Sequence, residues 1–198
     1  MTHAPLIPVK DFRATPVSWY PYVTPVQLET ATDVQLAAMK VTPSNRKISY
    51  YTLTLAHDPE ILSVRSPLFN DIMYHRGGLS RGYRELAATE TSVVNGCFYC
   101  ASVHSARYIQ LTKDAIDIEI LFNRKNEQQV NPQKSIIISA ANQLSQPIPT
   151  FEKQSSTTLS QHLDAEEVID LIFSISLFNW ANRLMHSLGQ AVEPSEDP

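Results

Sequence analysis

Apolar residues return at helical intervals along most of this chain. After Asp164, the positions Val168, Leu171, Ile172, Ile175, Phe178 and Leu184 recur at the spacing of a buried helix face. Asp164 with Glu167 three residues on has the form of a capping box, which places a helix start there. Other start signals pair a cap residue with a proline: Thr24-Pro25 with Gln27, Asp58-Pro59-Glu60, Ser66-Pro67 and Asn131-Pro132. The run SIIISAANQL (135–144) has strand-like residues, but the Asn131-Pro132 start and the alanines favour a helix. Alternating strand patterns with Asn-Gly or Asp-Gly hairpin turns are nearly absent. The five glycines (Gly77, Gly78, Gly82, Gly96, Gly189) fall at or near inferred helix boundaries. The pattern predicts an all-α protein, a bundle of roughly seven to nine helices.

The ends read differently. Six of the 13 prolines fall in the first 43 residues, and residues 1 to about 24 read as an extended, Pro-rich arm. Its aromatic residues Phe12, Trp19, Tyr20 and Tyr22 imply that it docks on the domain or on a neighbouring subunit. Residues 25–189 form the expected helical domain, and residues 190–198 (QAVEPSEDP) are expected to be a disordered tail.

At 198 residues, one domain with a single core is expected. A hydrophobic content of 43% with 18% charged residues suits a globular protein. The net charge of −4 leaves no basic face for a nucleic acid. The most apolar stretch, 168–184, carries Asp170, Asn179, Asn182 and Arg183 and is too short and polar for a membrane span. The N-terminus lacks a basic-then-apolar leader pattern. A cytoplasmic location is therefore expected, where thiols are kept reduced.

Both cysteines lie in NGCFYCASVH (95–104). Asn95-Gly96 breaks the preceding helix, so Cys97 should begin a new one, with Cys97, Cys100 and His104 on one face. The helix start favours thiolate at Cys97, whereas the histidine one turn on favours Cys100. If the helix carrying Glu85 packs antiparallel on this one, the Glu85 carboxylate would face His104 and raise its basicity. Carboxylate, imidazole and two thiols suit peroxide reduction through a sulfenic acid and a disulfide. Zinc is the rival, but structural zinc wants four ligands, and His3, His57, His75, His162 and His186 show no second pair. Glu90 is read as a surface residue, rotated away from Glu85. His75 and Arg76 read as either a pocket rim or a polar helix end.

The stretch RELAATETSVVNGCFYCASVHSARY (84–108) resembles the carboxymuconolactone decarboxylase-like superfamily, in particular its alkylhydroperoxidase D-type branch. Glu85, Cys97, Cys100 and His104 match that branch's motif, and FNWANRLMHSLG (178–189) resembles its closing helix. The likeness covers about residues 45–189. It implies an all-α fold, homo-oligomers such as trimers or hexamers, and a cofactor-free, thiol-dependent hydroperoxidase of peroxiredoxin type. It assigns attack to Cys100, resolution to Cys97 and proton relay to His104 and Glu85. It further implies a small hydroperoxide as substrate and a dihydrolipoyl or thioredoxin-like dithiol as reductant. One position departs: Tyr99 stands where the branch has a histidine, and a tyrosine is a poor proton shuttle near neutral pH. That departure favours, as alternatives, a thiol-disulfide module or redox sensor. A non-redox lyase or isomerase using His104 and Glu85 is the other alternative.

Overall fold

The residue order Arg81–Val94 dictates the centre of the molecule. In the computed structural model, which describes residues 6–39, 48–124 and 130–194, this stretch is a helix buried without a break from Arg84 to Ser92. In chain order the elements are β1 (Ser18–Pro21), α1 (Asp33–Met39), α2 (Tyr50–Leu55), α3 (Pro59–Tyr74), α4 (Arg81–Val94), α5 (Phe98–Thr112), α6 (Ile116–Asn123), α7 (Pro132–Ser145), α8 (Lys153–Ser160), α9 (Ala165–Leu188) and β2 (Gly189–Val192). The described residues therefore hold nine helices and one two-stranded sheet, an all-α bundle.

Helix α4 packs against α5, α7 and α9 at once. Its small residues Ala87 and Ala88 share buried clusters with Ala140 and Ala141 on α7 and with Ala181 on α9, letting the helices approach closely. Leu86, Ile137, Leu171 and Ile175 fill the core around them. Each such side chain contributes about 1.5–3 kcal/mol by leaving water. No helix among the described residues is long and apolar enough to cross a membrane.

Three of the proposed starts cap helices. Asp58 accepts from Ile61 N at 3.0 Å, Asn131 from Gln133 N at 2.9 Å, and Asp164 with Glu167 forms the reciprocal box. Two do not. After Thr24-Pro25 the chain turns without helix until Asp33, and Gln27 Nε2 donates to Pro25 O at 3.0 Å instead of reaching a cap. Ser66-Pro67 lies inside α3, because the Asp58 cap starts that helix earlier. Pro67 removes one hydrogen bond, and the buried neighbours Leu62, Ser66 and Met73 hold the helix together across it.

The ends are tied to each other. Strand β1, in the arm, pairs antiparallel with β2, with Trp19 opposite Ala191 and Pro21 opposite Gly189. Pro8 bridges to Val192, and Glu193 N donates to Ile7 O at 2.8 Å. The Phe12 ring lies tilted against Phe98 with centroids 4.7 Å apart, and Arg13 forms an ion pair with Glu193. The expected disordered tail is thus corrected over 190–192: these residues are a strand because the arm offers them an edge. Residues 1–5 and 195–198 of the two end segments lie outside the described residues. Gly189 is required by contact, since a Cβ there would fall 2.3 Å from the Trp19 ring.

Candidate active site

Helix α4 ends at Val94 with Asn95 as its C-terminal cap, and Gly96 turns the chain with φ +70°, a left-handed conformation open to glycine at little cost. Cys97 N then donates to Ser92 O at 2.8 Å, and α5 begins with Cys97 as its N-terminal flanking residue. Glu85 precedes Asn95 by ten residues and His104 follows it by nine, so antiparallel α4 and α5 bring the two side by side. His104 Nδ1 lies 2.6 Å from Glu85 Oε2. The other carboxylate oxygen accepts from Arg81 Nε and Nη2 at 3.1 and 3.0 Å. The His104 ring packs edge-on against Phe178 at 4.3 Å.

Glu85 is 2% exposed. Burial raises its carboxyl pKa, but the His104 charge and hydrogen bond, with Arg81, outweigh that and hold it below the usual glutamate range. An ionised carboxylate on Nδ1 fixes the ring's orientation and tautomer, with Nδ1–H donating and Nε2 left for proton exchange. Cys100 is one turn before His104 on the same helix.

Both cysteines are free and buried. They pack with Trp19, Tyr51, Tyr99, Met185 and Leu188. Their electrostatics differ. The Cys97 thiol is held below its ordinary value: the Cys100 thiol hydrogen-bonds to it, and first-turn amides and Asn182 add to this against the cost of burial. Cys100 is pushed well up, by its bond to Cys97, by burial and by the neighbouring thiolate. Tyr51 is pushed up to about 12 by burial, with Arg65 opposing and both thiols reinforcing. Tyr99 is likewise raised, so it stands as a neutral aromatic wall beside the pair.

A cavity of about 230 Å³ opens beside Cys97, walled by Trp19, Tyr22, Phe98, Tyr99 and Met185. Cys100 and His104 do not border it. Its outer wall is the arm and β2.

The residue that sequence reasoning missed is Asn182, 0% exposed on α9. Asn95 Nδ2 donates to Asn179 Oδ1 at 2.8 Å and to Asn182 Oδ1 at 3.1 Å. That fixes the Asn182 amide, whose Nδ2 donates to Ser92 Oγ at 3.2 Å and turns its amino group to the thiol side. The signal was present in FNWANRL, where two asparagines interrupt an apolar face.

Glu90 is corrected from a surface residue to a 0% exposed one. Five residues turn it about 140° from Glu85, onto α7, where Oε1 accepts from Asn142 Nδ2 and Arg124 Nη2, each at 2.9 Å. His75 flanks the end of α3, and its Nε2 is 3.1 Å from Arg84 Nη2, which holds Asp170 Oδ2 at 2.7 Å. Among the described residues, His75, Glu166 and Asp170 are the one trio whose donor atoms converge within 4.8 Å. The guanidinium on Asp170 occupies the place a cation would want. Cys97, Cys100 and His104 form no such set.

Residues 59–123 match the model of the carboxymuconolactone decarboxylase family. No curated protein matches the chain in sequence. Among solved structures, an alkylhydroperoxidase D core, a peroxidase-related protein from Ralstonia eutropha, superimposes with TM-score 0.72 at 22% identity, covering 93% of this chain and 95% of that one. A peroxidase-related protein from Silicibacter gives 0.63 at 22%, covering 90% and 92%. The debrominase Bmp8 gives 0.71 at 18%, covering 84% and 89%, and one of its variants is known bound to 2,3,4-tribromopyrrole. At these identities the likeness is one of fold. The segment that matches the family model spans α3 to α6, and the helical core around it has the alkylhydroperoxidase D-like fold.

Proposed function

We propose that this protein is a thiol-dependent hydroperoxide reductase, using the Cys97–Cys100 pair and the Glu85–His104 couple. The observation that carries this reading is the 2.6 Å contact between Glu85 on α4 and His104 on α5, the helix that Cys97 precedes and Cys100 lies in. One thiolate sulfur attacks the distal oxygen of a hydroperoxide; the O–O bond breaks, an alcohol leaves after protonation, and a sulfenic acid remains. The second thiol attacks that sulfur, an S–S bond forms and water leaves. An external dithiol, of dihydrolipoyl or thioredoxin-like type, returns both electrons by exchange. No cofactor enters these steps. The cytosol, where dithiol reductants keep thiols reduced, is the proposed compartment.

Exposed apolar side chains line one edge of α3 (Ile61, Val64, Leu68) and of α9 (Ile169, Phe173, Trp180). They support assembly of several copies, which light scattering after gel filtration tests.

The test is consumption of cumene hydroperoxide by the purified protein with excess dithiothreitol. Activity should vanish in the doubly substituted Cys97→Ser/Cys100→Ser protein. A rate retained there overturns the reading and leaves a lyase or isomerase of Glu85 and His104. Rapid dithiol exchange without peroxide turnover would identify a redox module instead.

A second reading rests on the aromatic cavity beside Cys97 and on the debrominase among the similar folds. The same pair would take a halogen from an aromatic ring onto sulfur, protonate the ring carbon and expel halide as the disulfide forms. Halide release from a brominated pyrrole under dithiol distinguishes it.

A further inference from the structure

We infer that Cys97 is the attacking thiol, that Cys100 with His104 resolves, and that the cavity beside Cys97 selects small substrates carrying one aromatic ring. This rests on the thiol reading above and deepens it.

Three observations on geometry carry the inference. Of the two cysteines only Cys97 borders the cavity, so a substrate held there lies beside Cys97 and not Cys100. Cys97 also stands at the N-terminal end of the 15-residue helix α5, where unpaired amides and the helix dipole favour an anion. The Asn182 amide, fixed by Asn95, adds a donor. The thiol shifts agree in direction, with Cys97 favoured as thiolate and Cys100 holding its proton.

The cavity's size and walls define the substrate class. An apolar cavity of about 150 Å³ holds benzene, so about 230 Å³ admits one ring with a short substituent. Trp19, Tyr22, Phe98 and Tyr99 line it together with Met185. Aromatic pairing adds to burial for a ring but not for a compact aliphatic group. Two of those walls, Trp19 and Tyr22, come from the arm, whose strand β1 closes the cavity by pairing with β2.

The steps balance as follows. Cys97 Sγ takes the distal oxygen of an arylalkyl hydroperoxide, forming S–O as O–O breaks, and the alkoxide takes a proton from water. Cys100 then gives its proton to His104, attacks the Cys97 sulfur and releases water, leaving the disulfide. The held proton on Cys100 explains why a carboxylate-oriented imidazole sits one turn beyond that residue.

The test uses the reduced full-length protein and its single variants with one equivalent of cumene hydroperoxide and dimedone, which captures sulfenic acid. Cys100→Ser should accumulate the adduct on Cys97, while Cys97→Ser should form none at a comparable rate. Adduct on Cys100 of Cys97→Ser at the wild-type rate overturns the assignment. For the substrate class, Trp19→Leu should lower kcat/KM for cumene hydroperoxide about tenfold while changing that for tert-butyl hydroperoxide less than about twofold. Tyr22→Ala, at a wall residue 60% exposed, gives the same comparison if Trp19→Leu does not fold. Equal losses on both substrates overturn the aromatic preference. If the wild type consumes neither peroxide, the reductase reading fails, and alkylation by phenacyl bromide and iodoacetamide still reads the inference. Cys97 labelled first, with preference for the aromatic reagent, upholds it; Cys100 first, or no preference, overturns it.

Discussion

Removing the Asn182 side chain as Asn182→Ala isolates the thiol electrostatics from the fold. Asn95 Nδ2 keeps Asn179 Oδ1 at 2.8 Å, and Ser92 Oγ keeps its own bond to Ala88 O at 2.7 Å, so the neighbours lose one partner each and keep another. The thiol pair loses an amide donor that favours its charged form. A hydrogen bond to a charged group contributes about 1.5–3 kcal/mol, which corresponds to about 1–2 pH units on a thiol at 1.36 kcal/mol per unit. The direction is upward, because the donor is lost from the thiolate. The assay is the pH dependence of iodoacetamide alkylation of the reduced protein, read by intact mass. Asn179→Ala is the control: it removes bonds to Asn95 and Ser145 in the same network but no bond to a thiol. Both variants should lose about 1–3 kcal/mol of stability by cavity and bond loss, and Asn182→Ala alone should move the alkylation midpoint. A midpoint unchanged in Asn182→Ala, or moved equally in Asn179→Ala, refutes the reasoning.

Other outcomes follow from single contacts. The folded-state pKa of Glu85 is depressed, so its contribution to stability is present above the ordinary glutamate value of about 4.3. It is lost as pH falls from there through the folded value. Glu85→Gln should flatten that acid limb in melts recorded against pH, and an unchanged limb would show that another group sets it. Asp170→Ala strips Arg84, 1% exposed at its side chain, of its partner at 2.7 Å, and should cost about 3–5 kcal/mol by denaturant titration. Gly189→Ala would drive a Cβ to 2.3 Å from the Trp19 ring and should cost about 1–3 kcal/mol as an overpacked contact. Its tryptophan fluorescence should change as the indole is displaced, and a wild-type melt and spectrum would mean that the β1–β2 ribbon adjusts freely.

How much of this was legible in the sequence depended on whether a feature was local. The caps at Asp58, Asn131 and Asp164 are three-residue devices, and their partners are printed next to them. The Ser66 start failed because the Asp58 cap had already begun α3, and the Thr24 start failed because Gln27 bonds Pro25 O instead of closing a cap. The arm and tail could not be joined from sequence, since β1 and β2 lie about 170 residues apart and neither strand has an alternating apolar pattern of its own. Glu90 was misread for a related reason. Its burial is set by Asn142 and Arg124, 52 and 34 residues further on, and nothing within α4 announces them.

The thiol site shows the limit of local reading most closely. The helix start argued for Cys97 as the acidic thiol, while the histidine one turn on argued for Cys100, and sequence spacing alone sets the two against each other. In three dimensions they concern different protons. The amides at the start of α5 act on the sulfur that borders the cavity, and the Glu85–His104 couple lies one turn beyond the sulfur whose proton is hardest to remove. A relay aimed at the resolving thiol does not need a histidine at position 99. Tyr99, half-buried beside both sulfurs and held neutral, then costs the chemistry no base and lends the cavity a ring. On this view Tyr99→His adds a charge-bearing group to an apolar wall. It should lower the preference for aromatic over aliphatic hydroperoxides without raising kcat, and a gain in kcat would mean that the tyrosine had displaced a needed proton carrier.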